Sequence, residues 1–152
     1  MYSVNKKVEH TPRLISGGMH TDSRGSLKFV NDFNPGNFKR FYVIKQSPVH
    51  GARAWQGHRT ETKGFYCING TFAVRLVKID NWENIPDQPD ILSFTLSALK
   101  SEILIIPGGY ANGFKALAED SQLMVFSAYS LAEAADDEKR YDAKHWINWE
   151  EI

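Results

Sequence analysis

The stretch RAWQGHRTETKGF, residues 53–65, sets an arginine, an amide, an imidazole and an ammonium close together in one run. In strand alternation Ala54, Gln56 and His58 share a face. After the short TET connection, Lys63, Phe65 and Cys67 share a face of the next strand. If both faces point into one interior, Gln56, His58 and Lys63 converge. A metal site of this shape would want a second histidine in place of Gln56 and a carboxylate in place of Lys63. One imidazole with a lysine and amides is a poor donor set for a divalent first-row metal, so no catalytic metal is expected. A base beside a fixed positive charge suits proton abstraction instead. Imidazole exchanges protons near neutrality, and a cation or hydrogen-bond donor stabilises a forming oxyanion. Taken singly, a histidine is more often a hydrogen-bonded structural residue and a lysine more often solvated. Their pairing on adjacent strands sets the functional reading beside the structural one.

Three further clusters carry polar groups. In DSRGSL (Asp22 to Leu27), Arg24 can fork onto a carboxylate or phosphate; the stretch alone reads more simply as a surface turn with Asp22 and Arg24 paired. In IIPGGYANGF (Ile105 to Phe114), an apolar strand runs into Pro107, two glycines and Asn112-Gly113, which unaided reads as a tight turn. In the tail, Asp136-Asp137-Glu138 reads as a solvated helix face, with Trp146 and Trp149 packing the helix end back on a sheet.

Short β-like runs must position these groups: SLKFVNDF, KRFYVIKQ, KGFYCI, TFAVRLVKI, DILSFTLS, SEILIIP and SQLMVFSAYS. Gly, Pro, Asn and Asp punctuate them at ISGGM, NPGN, CINGT and PGGYANG. Asn69-Gly70 predicts a hairpin joining KGFYCI to TFAVRLVKI, because both central residues of a type I′ turn need positive φ. NWENIPDQPD reads as a surface excursion. Only LAEAADDEKRYDAKHW reads as helical, with Ser130 and Glu133 forming a capping box. The pattern predicts an all-β antiparallel sandwich or small barrel of the jelly-roll type with a short C-terminal helix. No repeat, linker or low-complexity segment divides the chain, so one domain over 1–152 is expected.

Lys plus Arg equals Asp plus Glu at 18 each, which offers no electrostatic case for nucleic acid or a membrane surface. A small anionic ligand stays possible, since a local cationic pocket need not show in the total. Cys67 is the one cysteine, which excludes an intrachain disulfide and Cys-based zinc patterns. MYSVNKKVEH lacks an apolar signal-peptide core, and no stretch approaches the ~20 apolar residues of a membrane span. A soluble, cytoplasmic protein is expected.

Read together, Q-G-H-R-T-E-T-K-x(6)-G from Gln56 to Gly70 and P-G-G-Y-A-N from Pro107 to Asn112 resemble the two cupin motifs, H-x-H-x(3–4)-E-x(6)-G and P-x-G-x(2)-H. Gln56, Lys63 and Asn112 replace three of the four usual ligands, and His58 alone remains. A cupin with lysine at the glutamate position is similar to the nucleotide-sugar epimerases typified by dTDP-4-dehydrorhamnose 3,5-epimerase. It also looks like the 3,4-ketoisomerases acting on dTDP-4-keto-6-deoxyglucose. DSRGSL is similar to the D-x-R-G-x-F turn of that family, and RAWQGH stands in the place of its R-G-L-H. LSALKSEILIIPGGYANGF follows its L-S-x(n)-L-x-I-P-x-G-x-A-H-G-F.

The resemblance implies a cupin fold, a nucleotide-sugar substrate of the dTDP-4-keto-6-deoxyhexose type, no cofactor, and a homodimer. It implies epimerisation by proton abstraction beside the ketone, with 3,4-ketoisomerisation or sugar binding without catalysis as the alternatives. His58 would be the base and Lys63 the charge that stabilises the enolate. Arg24 and Arg53 would hold the diphosphate, and Gln56, Asn112 and Tyr129 would contact substrate. Two features depart from the epimerases. Their catalytic tyrosine aligns with Val125 or Phe126, a few residues before Tyr129, and the tail aspartate behind their base has no counterpart before WEEI.

Overall fold

Half-polar runs rich in β-branched and aromatic residues form strands over most of the chain, as such residues do on pleated, half-buried surfaces. The computed structural model describes residues 10–152; MYSVNKKVE, expected to hold no signal-peptide core, lies outside them. The strands are β1 (Arg13–Ser16), β2 (Gly18–Asp22), β3 (Gly25–Phe29), β4 (Arg40–Gln46), β5 (Ala52–His58) and β6 (Lys63–Asn69). They continue as β7 (Thr71–Lys78), β8 (Ile91–Ser97), β9 (Glu102–Ile106), β10 (Tyr110–Ala116), β11 (Ser121–Ser127) and β12 (Glu138–Arg140). One sheet has the order β1-β9-β6-β11-β4, the facing sheet β12-β5-β10-β7-β8, and β2-β3 forms a separate hairpin. Every ladder is antiparallel. No helix among the described residues is long and apolar enough to cross a membrane.

The inner faces of the two sheets bury Phe65, Leu104, Ile106, Leu123 and Val125 against Phe72, Val74, Leu76, Leu96 and Phe114. A second cluster covers the outer face of the β5-β10-β7 sheet. There Trp55, Val77 and Ala111 meet Trp149 and Trp146 from the tail. The tail tryptophans thus pack on a sheet as expected. Cys67 lies in the main core, where burial pushes its thiol up to about 11, so it is no nucleophile at neutral pH.

Several sequence expectations are corrected. Asn69-Gly70 does not close a hairpin: β6 pairs with β9 and β11, and β7 with β8 and β10. Gly70, at φ 72°, turns the chain from one sheet to the other. A Cβ there would collide with Ser121. PGGYANG is a turn only through its glycines, since Tyr110 onward is β10, paired on both sides. The helix is shorter than its pattern. α1 spans Leu131–Asp137, capped by Ser130 and Glu133 as expected. The chain then leaves the helix because β5 offers an open edge that Glu138–Arg140 fills. Asp137 is buried rather than solvated, accepting from the backbone N–H groups of Thr60 and Glu61. In the polar loop 81–90, Trp82 and Ile85 pack down on the second cluster, and Trp146 donates to the Pro86 carbonyl.

Candidate active site

A cavity of about 430 Å³ lies between the sheets. Tyr42, Ile44, Lys63, Phe65 and Val125 line it from one sheet, and Arg53, Gln56, His58, Asn112 and Phe114 from the other. Leu131, Ala134 and Ala135 of α1 and Glu138 and Arg140 of β12 supply a side wall. Of the seven site residues expected from sequence, His58, Lys63, Arg53, Gln56 and Asn112 are brought together here. Arg24 and Tyr129 are not.

Arg24 sits at the tip of the β2-β3 hairpin, 87% exposed, with its guanidinium 2.7 Å from Asp22. That is the local pairing that DSRGSL suggested on its own. Tyr129 turns away from the cavity because its hydroxyl donates to Thr60 Oγ1 at 2.7 Å. Alternation on β5 also fails in one place. Asn112 faces Gln56, but Phe114 faces Arg53, so two residues of β5 oppose Gly113 alone. This bulge throws Ala54 and Trp55 together onto the outer cluster, and Arg53 replaces Ala54 beside Gln56 and His58. Gly113 permits it, since a Cβ there would lie 2.6 Å from both Ala54 and the Trp149 ring.

His58 is held from the backbone up. Its carbonyl accepts from Gly109 N–H at 2.8 Å, and the Gly109 carbonyl accepts from Ile79 N–H at 2.9 Å. Gly108 lies against the Thr60 backbone, where a Cβ would come within 2.6 Å. The Pro-Gly-Gly turn therefore clamps the connection that follows His58. Asp137 holds the same connection from behind, taking Thr60 N–H at 3.1 Å and Glu61 N–H at 2.9 Å.

Glu61, read from sequence as mere connection, is fully buried. Its Oε1 accepts from Ser127 Oγ and lies 3.3 Å from Lys63 Nζ. Its Oε2 lies 2.9 Å from His58 Nδ1, an ion-pair separation without the alignment of a full hydrogen bond. Burial alone would raise this carboxyl. The His58 and Ser127 contacts and the Lys63 charge outweigh burial and hold it at about 2. His58 Nε2 is buried with no partner among the described residues.

Tyr42 was also missed. Lys63 Nζ donates to its hydroxyl at 3.0 Å, and Lys63 and Arg40 lie 5.2 and 5.3 Å from its ring centroid. It stands directly opposite Val125 across the β4-β11 ladder. Arg40 and Arg140 join Arg53 as cations on the cavity. The alternation in KRFYVIKQ puts Arg40, Tyr42 and Ile44 on one face, a signal available from the sequence. Arg140, in a stretch that reads as helix, gave none.

The metal that such folds often carry does not fit this donor set. Lys63 occupies the carboxylate position, and its ammonium is neutralised by Glu61. His58, Glu61 and Asp137 place ligand atoms within 4.8 Å of one another. Both Asp137 oxygens, however, already accept from Thr60 and Glu61, and a lysine cation stands beside Glu61.

Two facing antiparallel sheets with the cavity between them, several of its residues drawn from the two motif segments, define a cupin-type jelly roll. Solved structures of sugar-nucleotide enzymes share it. The RmlC epimerase of Mycobacterium tuberculosis superposes with a TM-score of 0.72 at 18% identity, over 98% of this chain and 78% of that one. The dTDP-4-dehydrorhamnose 3,5-epimerase of Bacillus anthracis, solved with TDP and pyrophosphate, gives 0.67 at 20% identity, over 91% and 84%. The QdtA 3,4-ketoisomerase of Thermoanaerobacterium thermosaccharolyticum, as a double mutant with TDP, gives 0.63 at 24%, over 86% and 87%. No protein-family model matches the sequence, and no curated protein matches it.

Proposed function

We propose that the protein is an isomerase of nucleoside-diphospho-4-keto-6-deoxyhexoses that works by removing a proton next to the ketone. The observation that carries this reading is the meeting of His58 and Lys63, from facing sheets, on one cavity lined by Arg40, Arg53 and Arg140. The arginines suit a diphosphate, and Phe65, Phe114 and Val125 suit the apolar side of a deoxysugar. The sugar-nucleotide enzymes of the same fold support the substrate class.

His58 Nε2 takes the proton of a carbon beside the carbonyl. The C–H electron pair moves into a C=C bond, and the carbonyl π pair moves onto oxygen. Lys63 Nζ stabilises the resulting enolate. Return of a proton to the opposite face of that carbon inverts it. Tyr42 supports epimerisation, because its hydroxyl, held by Lys63, lies on the sheet facing His58. One observation favours a second reading, 3,4-ketoisomerisation. Val125 puts a side chain without an exchangeable proton at the cavity position of β11, and a single base can carry the C3 proton to C4 while the C3 hydroxyl proton passes to the C4 oxygen, with no second donor from the protein.

The test is incubation with dTDP-4-keto-6-deoxyglucose in deuterium oxide, followed by NMR. Deuterium at C3 or C5 with inversion supports epimerisation, and migration of the carbonyl supports ketoisomerisation. Saturable binding without exchange over long incubation would leave a sugar-nucleotide binding protein.

We also propose that the working unit is a homodimer. The β2-β3 hairpin pairs with neither main sheet, and a two-stranded ribbon is marginal alone. It exposes Met19 and Leu27, while the edge strand β4 exposes Phe41 and Val43, a surface of the kind that associates. Light scattering should give twice the chain mass; a monomer at micromolar concentration would refute this.

A further inference from the structure

We propose that Glu61 is the positioning residue of the site, keeping the His58 proton on Nδ1, leaving Nε2 unprotonated, and fixing the Lys63 ammonium beside it. The proposal rests on the isomerase reading for its consequence in catalysis, but its geometry stands apart from any substrate.

A carboxylate without solvent exposure is strongly destabilising unless donors surround it. Glu61 has two, Ser127 Oγ and Lys63 Nζ on Oε1, and His58 Nδ1 stands 2.9 Å from Oε2. Oε2 has no aligned donor, so a small rotation of the imidazole toward it satisfies both atoms. With the ring proton drawn to Nδ1, the buried and unpartnered Nε2 carries the free lone pair that a base needs. The backbone leaves Glu61 little room to move, because its N–H is tied to Asp137 Oδ2 at 2.9 Å.

Charge supplies the second half of the case. Before reaction, a neutral His58, a cationic Lys63 and an anionic Glu61 sum to zero. When His58 takes the substrate proton the trio becomes +1 while the substrate becomes an enolate of −1. The site's charge is therefore matched to the state that forms during the reaction, where stabilisation accelerates it. Without Glu61, the Lys63 ammonium would stand beside the imidazole with no anion between them, and would oppose the imidazolium that forms when His58 takes the substrate proton. One carboxylate, three residues from the base and two from the lysine, thus serves both.

The test is nitrogen-15 NMR of histidine-labelled protein at alkaline pH, where an imidazole is neutral, combined with kinetics of Glu61→Gln and Glu61→Asp. The wild-type His58 should show the Nδ1–H tautomer, without any substrate present. Dominance of the Nε2–H form would overturn the proposal. Glu61→Gln should reduce the Nδ1–H population. It should also lower kcat on the order of 10²-fold or more with KM little changed, within the ~10⁴-fold that a wrong tautomer costs in a Ser-His-Asp triad. Glu61→Asp should restore part of both. A folded Glu61→Gln variant with unaltered tautomer and kcat would assign Glu61 a purely structural role. If no 4-keto sugar is turned over by wild type, the isomerase reading fails, while the tautomer measurement still decides the role of Glu61.

Discussion

Asparagine in place of His58 is expected to abolish deuterium uptake into the 4-keto sugar while leaving nucleotide-sugar binding intact. General-base assistance is typically worth 10²–10⁴-fold, so kcat should fall by about that factor with KM nearly constant. Asparagine fills the space of imidazole and keeps a polar atom near Glu61, so the buried carboxylate is not stranded. The cations proposed to hold the diphosphate, Arg40, Arg53 and Arg140, come from strands β4, β5 and β12 and are untouched. Binding is followed by titration calorimetry with dTDP, and exchange by NMR. Full exchange in the variant would remove His58 from the role of base.

Methionine in place of Lys63 has two consequences that can be separated. Loss of the donor proposed to stabilise the enolate oxygen should lower kcat about 10²–10³-fold, the range measured for oxyanion-hole donors. Glu61 also loses its fixed counter-charge while remaining fully buried. Breaking a buried pair from one side costs roughly 3–5 kcal/mol, which in a chain of this size lowers the melting temperature on the order of 10 °C. Arginine at the same position should recover most of the stability and only part of the rate, because its planar fork cannot place a point charge where Nζ stood. A methionine variant with normal kcat and a depressed melting temperature would make Lys63 only the counter-ion of Glu61.

Local chemistry made much of this legible. Alternation on β6 correctly set Lys63, Phe65 and Cys67 on one inner face, and the capping box placed the start of α1. What stayed hidden was hidden for identifiable reasons. Asn69-Gly70 reports positive φ, and a chain needs positive φ as much to change sheets as to reverse within one. The β5 bulge depends on Gly113, which is distant in sequence, so no local period reveals that Arg53 rather than Ala54 joins His58. Glu61 sits in three polar residues between strands, where a carboxylate normally solvates. Only the closure of Ser127, His58 and Lys63 around it makes it internal. Asp137 is similar: its acidic neighbours suggest solvent, and its burial follows from β12 pairing with β5.

The edge-to-face pair of Phe65 and Phe114, with ring centroids 5.6 Å apart, bridges the two sheets beside the cavity. His58 and Lys63 belong to different sheets, so the gap these rings span helps to set the reach between them, together with the Glu61 bridge. The pair therefore acts as a gauge block. A change of core volume at either ring is expected to alter the distance between the proposed base and its partner charge, so the aromatic core adjusts the candidate site as well as supporting it.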